Sequence, residues 1–550
     1  MGIGRDIGLQ RRHTHPPRSV GAQPGPHLAV LQPSLTVSGA SIDTTPMKPD
    51  FVGATWSGNR RFGVSRRRVG GSIQRKTDPP RPARAGDRGT FSVALARCPF
   101  ICENIACRRR HREAPLSSEA PRHPKPSNGH HAPGAATTIM PKLDEIDLSQ
   151  IDLYRQGFPH HVFDTLREEA PVWWHPPSPG TEATEEGFWV LSRHTDIQAA
   201  DRDTETFSAG DGPTLVASMP GSALMITHMD GPRHVRLRKL ISAGFTPRMT
   251  KRLEDQARGW AIRIIEDALE RETVNFVQDV AYQLPMHMIA DIVGIPIEDR
   301  EYIFNIVNDM LTCSDPEHPI PAEKGQDLMR EIFSYGASLS EAKRAQPVDD
   351  VWSLLTAAEI EGEDGEFSRL QSVELDGFFV LLAAAGSETT RSAIAGGLQA
   401  LLERPDQFAA LRANPGLMKT ATDEILRWTS PVAYFRRTVT RDTEFGGVKM
   451  VEGDRISLWY PSGNRDSAAF DDPYQFDVTR SGNEHIAFGG GGPHFCLGAN
   501  LARREITIMF EELLARVSDF ELVGDLKYGV QGIGNPITVA LKELPIRMKR

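Results

Sequence analysis

One cysteine stands where a glycine-rich run meets a helix. Residues 488–498 read Phe-Gly-Gly-Gly-Gly-Pro-His-Phe-Cys-Leu-Gly, and Ala-Asn-Leu-Ala-Arg-Arg-Glu-Ile follows. Four consecutive glycines permit backbone angles and close approaches that are closed to other residues. A flat macrocycle can lie against such a loop. Cys496 falls at the N-terminal end of the following helix. There the macrodipole and the free N–H groups favour negative charge, and therefore thiolate. N–H groups near Gly498 are placed to hydrogen-bond the sulfur and tune a metal held by it. The bland alternative is a buried structural cysteine beside a turn.

The other four cysteines do not form a framework with it. Cys98, Cys102 and Cys107 lie in the first quarter of the chain, and Cys313 stands alone. No disulfide pattern results, so a reducing, cytoplasmic setting is expected. Cys98, Cys102 and Cys107 with nearby His111 invite a zinc reading, but C-x3-C-x4-C is not a standard spacing.

Charge divides the chain. Residues 1–139 hold 22 Lys+Arg against 8 Asp+Glu, whereas the whole chain holds 63 against 72. The first segment is rich in Arg, Pro, Gly, Ser and His and shows no helical or strand period. It buries too little apolar surface to offset its ordering entropy. A disordered basic leader is expected there, and Met140 is expected as the true start. Nucleic-acid binding by this leader is the weaker reading.

From residue 140 to 550 one large domain is expected. Helical periodicity covers 250–270, 277–293, 369–402, 416–428 and 497–518, and strand-like pieces fall at 172–174, 188–191, 435–440 and 456–460. The fold class is mainly α with a minor β-sheet. The longest apolar run, 378–386, has nine residues and soon meets Glu388 and Arg391. That is too short for a transmembrane anchor.

The cysteine loop resembles the haem-binding loop of the cytochrome P-450 family, F-x-x-G-x-[H/R]-x-C-x-G. Phe488, Gly491, His494, Cys496 and Gly498 match every fixed position. The resemblance runs from about residue 145 to the end, because other landmarks occur in order. Glu424 and Arg427 match the family's E-x-x-R pair, three apart on one helical face. Asn464, Arg465, Asp466, Phe476 and Asp477 resemble its lead into the cysteine loop. Residues 385–390, Ala-Gly-Ser-Glu-Thr-Thr, resemble its [A/G]-G-x-[D/E]-T-T motif. A solvent-facing polar stripe is the alternative there, but the uniformly apolar 381–386 argues for burial.

The resemblance implies the P-450 fold and haem b, with Cys496 as axial ligand of the iron. It implies that Thr389 hydrogen-bonds bound dioxygen and that Glu388 relays protons to it. It assigns His234, Arg238 and His494 to the haem propionates, since two carboxylates need basic partners. A further arginine, Arg437 from its spacing to Asp442 or Arg436 beside it, joins them. Glu424 and Arg427 are implied as structural supports.

A thiolate ligand favours O–O cleavage. The implied reaction inserts one atom of O2 into a C–H bond. No dinucleotide fingerprint and no cysteine set for an iron–sulfur cluster is present. Electrons are therefore expected from a separate ferredoxin and its reductase. Arg503, Arg504, Arg236 and Lys239 are expected to form a basic face for that donor, although ordinary solvated charges explain them equally well. Pocket segments are expected at 215–224, 379–385, 432–435 and 533–537. All are largely apolar, which implies a hydrophobic small-molecule substrate. The resemblance points to sterol side chains or methyl-branched lipids, with linear terpenoids beside them. A peroxide-driven peroxygenase and a haem sensor or carrier are the rival readings. The pairing of Glu388 with Thr389 speaks against the first.

Overall fold

A computed structural model describes residues 140–550, apart from 179–185, 217–224, 244–246, 313–320, 362–364, 366 and 532–536. The basic leader, Cys98, Cys102, Cys107 and Cys313 lie outside the described residues. So do 217–224 and 533–536 of the expected pocket segments.

The architecture is helical around one long helix, Ser372–Leu402. At about 1.5 Å per residue it spans roughly 46 Å. Its first turn is closed by a capping box, in which Glu374 accepts from the Gln371 backbone N–H at 2.9 Å. Residues on nearly all its faces are buried, as its apolar composition requires. Glycines set where neighbours cross it. A Cβ on Gly396 would lie 2.7 Å from Thr429, and one on Gly397 would lie 2.8 Å from Ile425 and 3.0 Å from Phe510. Thr429 and Ile425 belong to the E-x-x-R helix Met418–Thr429, and Phe510 to the cysteine helix Ala499–Arg516. The two landmark helices thus meet at one glycine pair on the central helix.

Pro247–Leu269 and Gln283–Val293 pack around the same core. The expected helix 277–293 begins with a π-helical turn, Val277–Ala281. Pro247 opens its helix three residues before the expected start, as proline at the first helical position permits. Arg369, expected as helix, ends the short strand Phe367–Arg369 instead.

The main sheet has five strands in the order Val172–His175, Phe188–Leu191, Arg455–Trp459, Tyr434–Val439 and Phe207–Ser208. Arg455–Trp459 runs parallel to Phe188–Leu191 and antiparallel to Tyr434–Val439, with Arg437 opposite Ile456. Side chains alternate between faces along a strand, so Arg436 and Arg437 leave opposite sides of the sheet. Among the described residues no helix is long and apolar enough to cross a membrane.

Candidate functional site: the cysteine loop and its cationic rim

The loop before Cys496 is shaped by the helix His194–Arg202. Gly490 lies so close that a Cβ would be 2.6 Å from the Gln198 Cα. Gly492 adopts φ +75°, and its Cβ would meet the Asp201 carbonyl at 2.6 Å. The glycines expected to admit a macrocycle are therefore also required for packing on this helix. Arg202 Nε donates to the Gly490 carbonyl at 3.0 Å, and the Gly490 N–H donates to Asp201 at 2.7 Å. The Cys496 N–H then donates to the Phe488 carbonyl at 3.0 Å, which folds the loop back on itself. Arg503 stacks 4.6 Å over the Phe488 ring.

Cys496 is exposed on its open side, while protein packs around the rest of it. Burial raises its thiol, and the Gly498 N–H, Arg238, Arg503 and the Ala499 N–H act in the opposite direction. The expected helix-end N–H groups are present and lower the value. The net direction is upward, because desolvation outweighs them. An unliganded sulfur here is thus less acidic than the helix position alone predicts.

Four predicted cations gather on one side of this loop. His234 and Arg238 share a face of the helix Gly231–Ala243. The His234 and His494 rings lie 4.1 Å apart. Burial lowers His234 to about 4, reinforced by the charges of His494, Arg238 and Arg437 and opposed by Asp230. His234 is therefore neutral at pH 7, a hydrogen-bond donor rather than a charge. Arg238 donates to the Phe495 carbonyl, in a close contact. Arg437 donates to Asp201 at 2.9 Å. Arg436, on the other face, reaches Asp211 and Thr438 instead. The strand geometry thus selects Arg437 over Arg436 for the cluster.

Two acids that sequence reasoning missed organise these cations. Asp230 Oδ1 is 2.8 Å from His494 Nε2, and its Oδ2 accepts from Ser208 at 2.6 Å and the Ala209 N–H at 2.9 Å. Burial alone would raise Asp230, but these hydrogen bonds and the His494 charge bring it below its ordinary value. Asp201 is the second.

Behind the loop, Glu424 and Arg427 are both 0% exposed and joined by two 2.8 Å bonds. Arg427 also donates to the carbonyls of Asn464, Pro473 and Gln475. Glu424 accepts in addition from the Asp477 N–H, Arg480 and Asn483. Arg480 was not foreseen. The available signal was that a buried carboxylate needs more partners than one arginine supplies. Asn464 Oδ1 accepts from the Ile486 N–H at 2.8 Å, so this network reaches the start of the cysteine loop.

On the central helix, Ser387, Glu388 and Thr390 are buried, which rules out the solvent-facing stripe. Thr389 is half-buried, and its hydroxyl donates to the carbonyl of exposed Ala385 at 2.9 Å. Glu388 turns away from it. It pairs with Arg391 on the next turn and accepts from Ser392 at 3.2 Å. Burial raises its carboxyl, and Arg391 opposes that. The structure brings Thr389 to the open side and holds Glu388 on the buried one. Of the expected basic face, Arg503 is paired with Asp423 and Arg504 with Glu254. Lys239 is exposed and Arg236 half-buried, neither with a carboxylate partner among the described residues.

The donor set fits a haem. One sulfur is open on one side. The neighbouring basic side chains present two buried nitrogens, His234 Nδ1 and Arg437 Nε, without hydrogen-bond partners. Such a rim suits two carboxylates.

Comparisons agree with that chemistry. The family model described as Cytochrome P450 matches residues 148–523. The chain is 40% identical over 392 residues to a methyl-branched lipid omega-hydroxylase of Mycobacterium tuberculosis, covering 68% of this chain and 89% of that one. It is 37% identical over 403 residues to a steroid C26-monooxygenase of Rhodococcus jostii, covering 71% and 83%. A solved Mycobacterium marinum cytochrome P450 in complex with pseudoionone superposes with a TM-score of 0.67 at 36% identity, covering 75% of this chain and 100% of that one. The chain belongs to the cytochrome P450 family and is a haem-dependent monooxygenase.

Proposed function

We propose that this enzyme hydroxylates an unactivated C–H bond of a hydrophobic lipid: a sterol side chain, a methyl-branched chain or a linear terpenoid. The carrying observation is the apolar character of the central-helix face that bears Thr389 and of the expected pocket segments. Phe378 and Leu382, on the same face of the central helix as Thr389, are only partly buried, as are Val432, Phe435, Val216 and Ile537 of the expected pocket segments. Thr389 is the one hydroxyl beside them on the central helix. Few polar anchors suit a substrate held by shape and desolvation. The relatives whose names specify steroid or methyl-branched lipid oxidation support the same class.

Bound haem supplies the activation of O2, favoured by thiolate as electron donor. Cys496 is the residue that holds its iron. The N–H groups of Gly498 and Ala499 hydrogen-bond the sulfur and moderate its donation. His234, Arg238, Arg437 and His494 hold the propionates. Thr389 Oγ1, anchored to the Ala385 carbonyl, keeps its lone pairs free to accept a hydrogen bond on the open side. Glu388 delivers a proton only after its carboxylate leaves Arg391, so Arg391 sets how readily it does. Electrons come from a separate ferredoxin and its reductase, which dock near Lys239 and Arg236. A cytoplasmic setting suits this redox chain and the absence of a disulfide framework in the sequence.

Titration of the purified holoprotein with cholestenone, phytanic acid and a terpene alcohol tests the substrate class. At least one is expected to shift the Soret band at micromolar concentration. No shift with any of the three removes the lipid reading and leaves the family assignment intact.

A further inference from the structure

We propose that Asp201 is a positioning residue of the haem site, coupling the cysteine loop to Arg437 and balancing that arginine's charge. The proposal rests on the haem-thiolate reading above.

Asp201 closes the helix His194–Arg202 and is 2% exposed. A carboxylate so buried is costly unless several groups satisfy it. Here the two oxygens are divided between two parts of the site. Oδ2 accepts from the Gly490 N–H at 2.7 Å, six residues before Cys496. Oδ1 accepts from Arg437 Nη2 at 2.9 Å. Tyr460, itself fully buried, donates its hydroxyl to the same carboxylate at 3.2 Å. The arrangement is stiff on every side. The loop backbone cannot withdraw without losing Gly490's contact with Gln198, and Arg437 is held within the sheet.

The arginine is only partly consumed. Its Nη1 donates to the Arg436 carbonyl at 2.8 Å, and its Nε remains buried without a partner. Its charge is felt at His234. Asp201 thus fixes where the guanidinium points and cancels much of its field, while its other oxygen fixes the loop that carries the sulfur. One side chain sets both the position of the ligand and the local potential around it. A negative charge removed here makes this low-dielectric site one unit more positive, which favours the state carrying one more electron.

Redox potentiometry of the holoprotein reads this directly. Asp201→Asn keeps the shape and an acceptor for the Gly490 N–H but removes the charge. Its ferric/ferrous equilibrium is expected to move toward ferrous by about tenfold, about 59 mV for one electron. Tyr460→Phe removes a hydrogen bond without charge and is expected to stay within about threefold of wild type. No shift in Asp201→Asn, or an equal shift in both variants, overturns the proposal. If Asp201→Asn does not retain haem, Asp201→Glu, which keeps the charge, is expected to retain it near the wild-type potential. An Asp201→Glu variant that also loses haem overturns the proposal as well. Failure of the underlying reading is separable, because wild type would then show no thiolate-type carbon monoxide band.

Discussion

At the scale of single residues, Glu505 is the one acid of the cysteine helix whose burial goes unanswered. It is 3% exposed, and its Oε2 has no hydrogen-bond partner. Burial raises its carboxyl to about 8 from an ordinary 4.5. A group whose folded pKa lies above its unfolded value takes up a proton on folding. Its contribution is complete below about pH 4.5 and is lost as pH rises through about 8. Glu505→Gln keeps the shape and cannot ionise. Wild-type stability is expected to fall between about pH 4.5 and 8 and to level off above that, measured as Tm of the holoprotein. The variant is expected to fall less, and to be the more stable of the two at pH 9 by a few kcal/mol at most. Parallel curves for the two proteins contradict this.

At the scale of elements, the E-x-x-R helix is tied to the cysteine loop by hydrogen bonds rather than by apolar contact alone. Removing one partner of a buried pair leaves the other charge uncompensated, which costs roughly 3–5 kcal/mol. Arg427→Met is expected to lose about that much in urea unfolding, together with most of its bound haem. Glu424→Gln, Arg427→Met is expected to recover part of the stability, since no buried carboxylate then lacks its main partner and only Arg480, which also donates to three backbone carbonyls, loses an ionic partner. A single variant as stable as wild type would show that the pair is dispensable.

These elements also show what the chain discloses before it folds. The helices were legible because apolar residues recur with the helical period, and the strands because Val, Trp and Phe cluster between turn residues. Cys496, Glu424 and Arg427 were legible because their spacing is local. Asp201, Asp230 and Arg480 were not. Their partners lie 236, 264 and 56 residues away, and an isolated Asp or Arg reads as a surface charge. The choice between Arg436 and Arg437 was open for a related reason. Only the register opposite Ile456 tells which face each one takes. The orientation of Glu388 toward Arg391 was hidden because adjacent helical positions differ by about 100° and sequence alone does not say which side faces the site.

At the scale of the whole molecule, two cations, two imidazoles and one sulfur come from three separate places in the chain. They are the helix Gly231–Ala243, the strand Tyr434–Val439 and the cysteine loop that leads into the helix Ala499–Arg516. The long helix Ser372–Leu402 presents Ala385 and Thr389 on its open side. That convergence suits a planar dianionic group with a metal at its centre. The carbon monoxide difference spectrum of the dithionite-reduced protein tests it most directly. Wild type is expected to show the red-shifted Soret band of thiolate ligation, and Cys496→Ala is expected to lose it. A wild-type protein that binds haem but lacks that band, or a Cys496→Ala variant that keeps it, would contradict the account.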